Sequence, residues 1–306
     1  MSSVFTITRD DDGRRLDRTL RSMFKTVTLG SIMSAIRRGE IRINGSKVRD
    51  VSRRLNEGDE LSVNWEINQK HEIPKNTGWG KIRVIYQSES VLILNKPSGM
   101  LVQPDTKNGD SVISRVWGVM GSKNASAVHR LDRNTTGVLA VALHGDSLRA
   151  MEELFKSRKV RKFYMAVTVG KMPDEITIDA PLLKDSENNL VKVSPDGLKA
   201  VTHCKRLSYN GEYSLVMLEL LTGRTHQARV HAAYSKHPIL GDRKYGDFDS
   251  NRKEKNVARP FLHAYKLQFP DNLHESLSCV EGKSFIAELP DDMKNFIDER
   301  GLNYEA

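Results

Sequence analysis

His129-Arg130-Leu131-Asp132-Arg133-Asn134-Thr135-Thr136-Gly137 sets one carboxylate between two guanidinium groups, directly ahead of the apolar run Val138 to Leu143. A carboxylate so placed is expected to stay ionised, because neighbouring cations favour its charged form. The same arginines offer forked donors that match phosphate oxygens, so a reactive acid and a grip for a polyanion share five residues. An isolated Arg-x-Asp-Arg is explained just as well by a helix cap or a solvated ion pair. The choice rests on whether the rest of the chain supplies matching chemistry.

The charge distribution supplies part of it. The chain has 306 residues, 28% of them charged, and a formal net charge of +9. Residues 14–54 alone hold twelve Lys and Arg against Asp17, Glu40 and Asp50, so this one segment carries the whole excess. Such a stretch is an electrostatic footprint for an acidic partner, with the remainder an ordinary balanced surface. The longest apolar runs are far too short to span a bilayer, and the first residues lack the basic flank and apolar stretch of a signal peptide. A cytoplasmic protein without a membrane segment is expected. The two cysteines, Cys204 and Cys279, have no metal-type spacing and read as reduced structural thiols.

Periodicity then divides the chain. Leu16, Leu20 and Met23, and again Ile32, Ala35 and Ile36 before Gly39, predict two short helices. Ile41 to Ile43, the Asn44-Gly45 turn and Leu61 to Trp65 predict strands after them. Residues 1–65 therefore form a small basic α/β module, with Arg37, Arg38 and Arg42 at its helix-to-strand corner. Residues 66–80, aperiodic and carrying Pro74, Gly78 and Gly80, read as a linker. In 81–306 strand and helix patterns mix without a regular βαβ repeat, which predicts an α+β domain with a mixed, largely antiparallel sheet and flanking helices. Phe163, Met165, Val167 and Val169 alternate with Tyr164, Ala166 and Thr168, so Tyr164 points away from the bulkier apolar face, and the small Ala166 leaves space beside its ring. Arg224 to Ala233 reads as the first turns of a helix, placing Thr225 and Arg229 one turn apart. An arginine on that alanine-rich face is expected to be buried against a carboxylate.

Taken together, the string from His129 to Gly137, Lys162-Phe163-Tyr164-Met165-Ala166, Gly223 to His231, Leu240-Gly241-Asp242 with Tyr245-Gly246, and Arg259 to Ala264 resemble, in order, the motifs of the RluA family of RNA pseudouridine synthases. Thr136 replaces the usual serine and Ala228 a larger aliphatic residue. The N-terminal module resembles the small RNA-binding module named after a small-subunit ribosomal protein, which points to the RluC-like, large-subunit ribosomal RNA branch. The resemblance implies an isomerase, an intramolecular transfer enzyme that converts specific uridines of large-subunit ribosomal RNA to pseudouridine. It implies that Asp132 attacks the nucleotide or abstracts a ribose proton, that Tyr164 contacts the target uracil and handles its proton, and that Arg229 pairs with Asp132. It gives Arg130 the space vacated by the extruded base. Arg130 and Arg133, with Arg37, Arg38 and Arg42, are the expected RNA-binding residues.

This reaction needs neither redox change nor an added group, so no cofactor is expected, and a monomer is. His226 and His231 lie five apart and no His-Glu-x-x-His or Cys-x-x-Cys occurs, which argues against a metal site; no Gly-x-Ser-x-Gly elbow or Walker-type loop is present. Two rivals remain. One is a transfer-RNA synthase, against which the basic module stands. The other is a non-catalytic RNA-binding or ribosome-assembly protein, which would have no reason to keep Asp132, Tyr164 and Arg229 together.

Overall fold

The computed structural model describes residues 3–24, 29–63, 78–104, 109–185 and 190–303. The chain divides into two compact units, Met1–Ile73 and Pro74–Ala306. The linker expected at 66–80 lies, up to residue 77, outside the described residues, as do Asn64 and Trp65 at the end of the expected strand.

In the first unit the apolar positions at helical spacing form α1 (Leu16–Met23) and α2 (Leu29–Arg38). Strands β1 (Ser3–Thr6), β2 (Ile41–Ile43), β3 (Ser46–Lys47) and β4 (Glu60–Val63) pair antiparallel in the order β1-β4-β2-β3. Asn44-Gly45 makes the β2–β3 turn, both residues at positive φ, which Asn and Gly accept with least strain. Leu16, Leu20, Ile32, Ile36, Ile41, Ile43, Leu55 and Leu61 are fully buried in one core. Arg37, Arg38 and Arg42 stay exposed at its edge.

The second unit runs β5 (Arg83–Gln87), β6 (Val91–Lys96), α3 (Val112–Met120), β7 (Ser126–Ala127), β8 (Thr136–Ala142), α4 (Gly145–Lys156), β9 (Arg161–Val169), β10 (Glu175–Asp179), β11 (Leu182–Asp185), β12 (Leu190–Val193), β13 (Val201–Tyr209), β14 (Tyr213–Leu220), α5 (Gln227–Tyr234), α6 (Phe248–Lys253), β15 (Leu262–Gln268), β16 (Ser284–Ile286) and α7 (Asp291–Glu299). Ten of these strands form one sheet along the path β10-β13-β14-β9-β15-β8-β6-β5, with β16 on β15 and β7 on β8; only β15 and β8 run parallel. The expected mixed, largely antiparallel α+β sheet is thus present, with β11 and β12 as a separate hairpin. None of the described helices is long and apolar enough to cross a membrane.

Both faces of the sheet are covered, which explains why Val138 to Leu143 is apolar at every position rather than at alternate ones. On one face Leu92, Leu94, Leu139, Val141, Tyr164 and Ala166 pack with Val112, Val116 and Ala228 of α3 and α5. On the other, Val138 and Ala140 pack against Met151 of α4, and Met165 and Val167 against Met293 and Phe296 of α7. The alternation expected in β9 places Tyr164 and Met165 on opposite faces. Ala166 is fully buried within the core on the Tyr164 face.

Candidate active site

Asp132 lies on the loop between β7 and β8, and three contacts shape that loop. Its carbonyl accepts from Thr135 N at 3.1 Å, closing a turn. Where the β7 ladder ends, His129 Nε2 accepts from Ala140 N at 2.9 Å, and its ring stacks on Phe155 at 4.8 Å. Burial, and then the charge of Lys162, pull His129 down to about 3, so it serves as a neutral acceptor. Leu131 is buried in the core, and Arg130 and Asp132 on either side of it line one cavity of about 470 Å³.

The third contact comes from Lys96, at the end of β6. Its side chain is fully buried, and Nζ donates to Pro97 O and Met100 O at 2.8 Å and to Arg133 O at 3.0 Å. Those three acceptors match the three donors of an ammonium. Burial lowers Lys96 to about 7, with the charge of Asp132 opposing and that of Arg259 assisting. One side chain thereby ties the loop after β6 to the loop that carries Asp132.

The guanidinium that pairs with Asp132 is that of Arg229, not of either neighbouring arginine. Nη1 of Arg229 donates to Asp132 Oδ2 at 3.1 Å, while Nε and Nη2 hold Asp242 at 2.7 and 2.8 Å. Asp242 is almost fully buried and also accepts from the Lys244 and Tyr245 amides. Burial alone would raise it, but the Arg229 bonds and charge outweigh that and hold it below the usual carboxylate range. Fixed by this fork, Arg229 presents one N–H to Asp132.

The helix bearing Arg229 starts later than its sequence predicts. Arg224, Thr225 and His226 precede α5, and His226 has φ 54°, outside the helical region. The cause is Gln227, 2% exposed, whose Oε1 accepts from Arg224 N and Thr222 Oγ1 while its amide donates to Val201 O and Thr202 Oγ1. Four bonds made by one side chain outweigh local helix propensity. Thr225 and Arg229 therefore do not share a helix face. The turn instead brings His226 Nε2 to 3.8 Å from Asp132, with Nδ1 bonded to the Tyr245 hydroxyl at 2.8 Å.

Tyr164 lines the same cavity from β9, between Leu218 and Ala264 of the adjoining strands. Burial first, and the charge of Asp132 second, push its phenol up, so it is neutral at pH 7. Arg130, Asp132, Tyr164 and Arg224 also border a smaller slot that reaches Arg229. Arg133 turns the other way, its Nε donating to Gly99 O at 3.0 Å. In the first unit Arg38 is bidentate to Glu40, and Arg42 donates to Gly45 O. Of the expected residues in the second unit, Arg130, Asp132, Tyr164 and Arg229 converge, and Arg133 does not join them. Lys96, Asp242, His226 and Tyr245 complete the surroundings of Asp132 without any role read from sequence. A lysine ending the apolar strand Val91–Leu94 was the one available signal. Among the described residues, no group of three or more His, Cys, Asp or Glu is arranged to hold a metal ion.

Comparison with known proteins gives a consistent result. The sequence model for RNA pseudouridylate synthase matches residues 90–234, and that for the S4 domain matches 14–61. Ribosomal large subunit pseudouridine synthase C of Vibrio cholerae is 34% identical over 275 residues, spanning 86% of this chain and 87% of that protein. Its namesake from Escherichia coli is 33% identical over 281 residues, spanning 87% and 88%. The structure of human RNA pseudouridylate synthase domain containing 4 superposes with a TM-score of 0.58 at 26% identity, covering 71% of this chain and 92% of that one. Human RNA pseudouridylate synthase domain containing 1, at 23% identity and a TM-score of 0.54, shares the fold.

Proposed function

The chain belongs to the RNA pseudouridylate synthase family, and from that premise we propose that it isomerises specific uridines of large-subunit ribosomal RNA to pseudouridine. The observation that carries the reading is the Asp132 carboxylate, held at 3.1 Å by Arg229 at the wall of a cavity shared with Tyr164. The choice of RNA rests on the two relatives named for the large ribosomal subunit and on the match of the basic N-terminal unit to the S4 domain.

In this reaction the N1–C1′ bond breaks, a C5–C1′ bond forms, the C5 hydrogen leaves and N1 gains a proton. Atoms and electrons balance without a co-reactant, so the enzyme works without a cofactor. Asp132 serves glycosidic cleavage as nucleophile or as base toward a ribose proton. Arg229, immobilised by Asp242, aligns it. Tyr164 supports the base as a neutral phenol and handles the C5 proton. Arg130, exposed at the cavity mouth, fills the stack that the target base leaves, while Arg133, Arg37, Arg38 and Arg42 meet backbone phosphates. The enzyme acts as a cytoplasmic monomer.

Asp132→Asn tests this reading, because asparagine preserves shape and caps a turn about as well as aspartate. The variant should fold and bind RNA, yet release tritium from C5 of uridine roughly ten-thousand-fold more slowly, as when a catalytic group is removed. Release near the wild-type rate would overturn the assignment.

A further inference from the structure

Lys162 is a cavity cation to which the reaction above gives no task. It stands two residues before Tyr164 on β9, so strand alternation puts both side chains on one face, about 7 Å apart along the strand, and both line the cavity of Asp132. Its neighbour Arg161 is bidentate to Glu219, whereas Lys162 makes no hydrogen bond or ion pair among the described residues. A half-buried ammonium without a counter-charge is unfavourable. Burial first, and the charge of Arg158 second, hold its pKa below the ordinary lysine range. Gly223 leaves it uncovered, since a Cβ there would stand 3.5 Å from Nζ.

The facing wall supplies an independent observation. Arg158 follows the last turn of α4 with φ 60°, in the left-handed region. Lys159 N bonds to Leu154 O and Arg158 N to Phe155 O, which closes the helix end in the manner that favours glycine at this position. An arginine placed there accepts backbone strain, and it lines the same cavity. The acids of that lining are Asp132 and Glu152. Asp132 is paired with Arg229, and Glu152 has no ion pair with either cation.

We propose that Lys162 and Arg158 together bind the backbone phosphate of the nucleotide whose base enters the cavity. The phosphate supplies the counter-charge that the protein withholds, and Lys162, one strand repeat from Tyr164, sets how deeply the nucleotide sits. Lys162 is thus a positioning residue. The inference rests on the pseudouridine synthase reading of the site.

The test uses the full chain and a large-subunit RNA fragment that the wild-type protein modifies. Lys162→Met should bind about tenfold more weakly, with a log–log salt dependence shallower by about one, and Lys162→Arg should restore most of both. A neutral methylphosphonate at the target's own phosphate should cost the wild type a similar factor and cost Lys162→Met little more. Arg158→Gly should melt at the same or a higher temperature while binding several-fold more weakly, a split that loss of structure cannot produce. An unchanged salt slope in Lys162→Met, or full additivity with the methylphosphonate on either side of the target, would overturn the inference alone. Absence of pseudouridine with the wild-type protein would overturn the underlying reading, and this inference with it.

Discussion

Arg130 and Asp132 sit two residues apart on one loop and face one cavity, yet they are held very differently. Asp132 is fixed by Arg229, whereas Arg130 projects from the loop into solvent at the cavity mouth. That freedom suits a side chain that must enter a base stack only when RNA is bound. Arg130→Ala is therefore expected to slow modification of a structured RNA more than that of a flexible single-stranded one, because the latter has less stacking to disrupt. Single-turnover rates on a hairpin and on its unpaired counterpart check this. Equal losses on both would mean that Arg130 acts on Asp132 or on a phosphate.

The loop carrying Asp132 is aimed by the strands at its ends, and Gly137 is where they meet. It pairs with Lys96 of β6 on one side and with Ala264 of β15 on the other, at the parallel step in the sheet. Its φ is 114°, and a Cβ would stand 2.1 Å from Ala264 O. Gly137→Ala should lower stability by about 2 to 4 kcal/mol, as strained backbone and a forced strand shift combine. It should also reduce activity, since the shift reaches Asp132 through Thr136. Denaturant midpoints check it against Gly99→Ala, which has a similarly positive φ of 81° but open space around the glycine. There the cost should be about 1 kcal/mol. Equal losses at the two sites would mean that the contact with β15 does not matter.

At the scale of the molecule, two units with separate cores divide the work. The basic excess lies in the first, so residues 74–306 alone should fold but bind ribosomal RNA more weakly and with a shallower salt dependence, because fewer counterions are released. An unchanged slope would remove the footprint from the first unit. Acid stability of the second unit depends on buried histidine. His263 is fully buried, with Nδ1 bonded to Thr136 Oγ1 at 2.8 Å and Nε2 to Ala287 O at 3.1 Å. The carbonyl can only accept, so Nε2 carries the proton and Nδ1 accepts from the threonine. Burial pulls His263 down to about 4. In the unfolded chain it returns to its ordinary value near 6.5 and takes up a proton that the folded state refuses. Stability must then fall as pH drops from 6.5 toward 4, by up to about 1.4 kcal/mol per unit from this residue. His129 acts in the same direction. Guanidinium midpoints of residues 74–306 at pH 6.5, 5.5 and 4.5 check the slope, and a flat profile would contradict it.

What the chain determined by itself is whatever its local pattern encodes. The period-2 alternation sorts Tyr164 from Met165, the helical spacing marks α1 and α2, the charge count singles out residues 14–54, and the motif around Asp132 marks the reactive loop. Local pattern misplaced the start of α5, because the bonds that hold His226 out of the helix come from Gln227 reaching Thr222, Val201 and Thr202. It likewise assigned the partner of Asp132 to its neighbours on grounds of charge, and only the resemblance pointed to Arg229, 97 residues away. Tertiary structure alone decided that Asp242 fixes that arginine, that Lys96 ties two loops through backbone carbonyls, and that Lys162 faces a cavity without a counter-charge. Each of these depends on burial and on pairings between distant segments, which exist only once the sheet has brought its strands together.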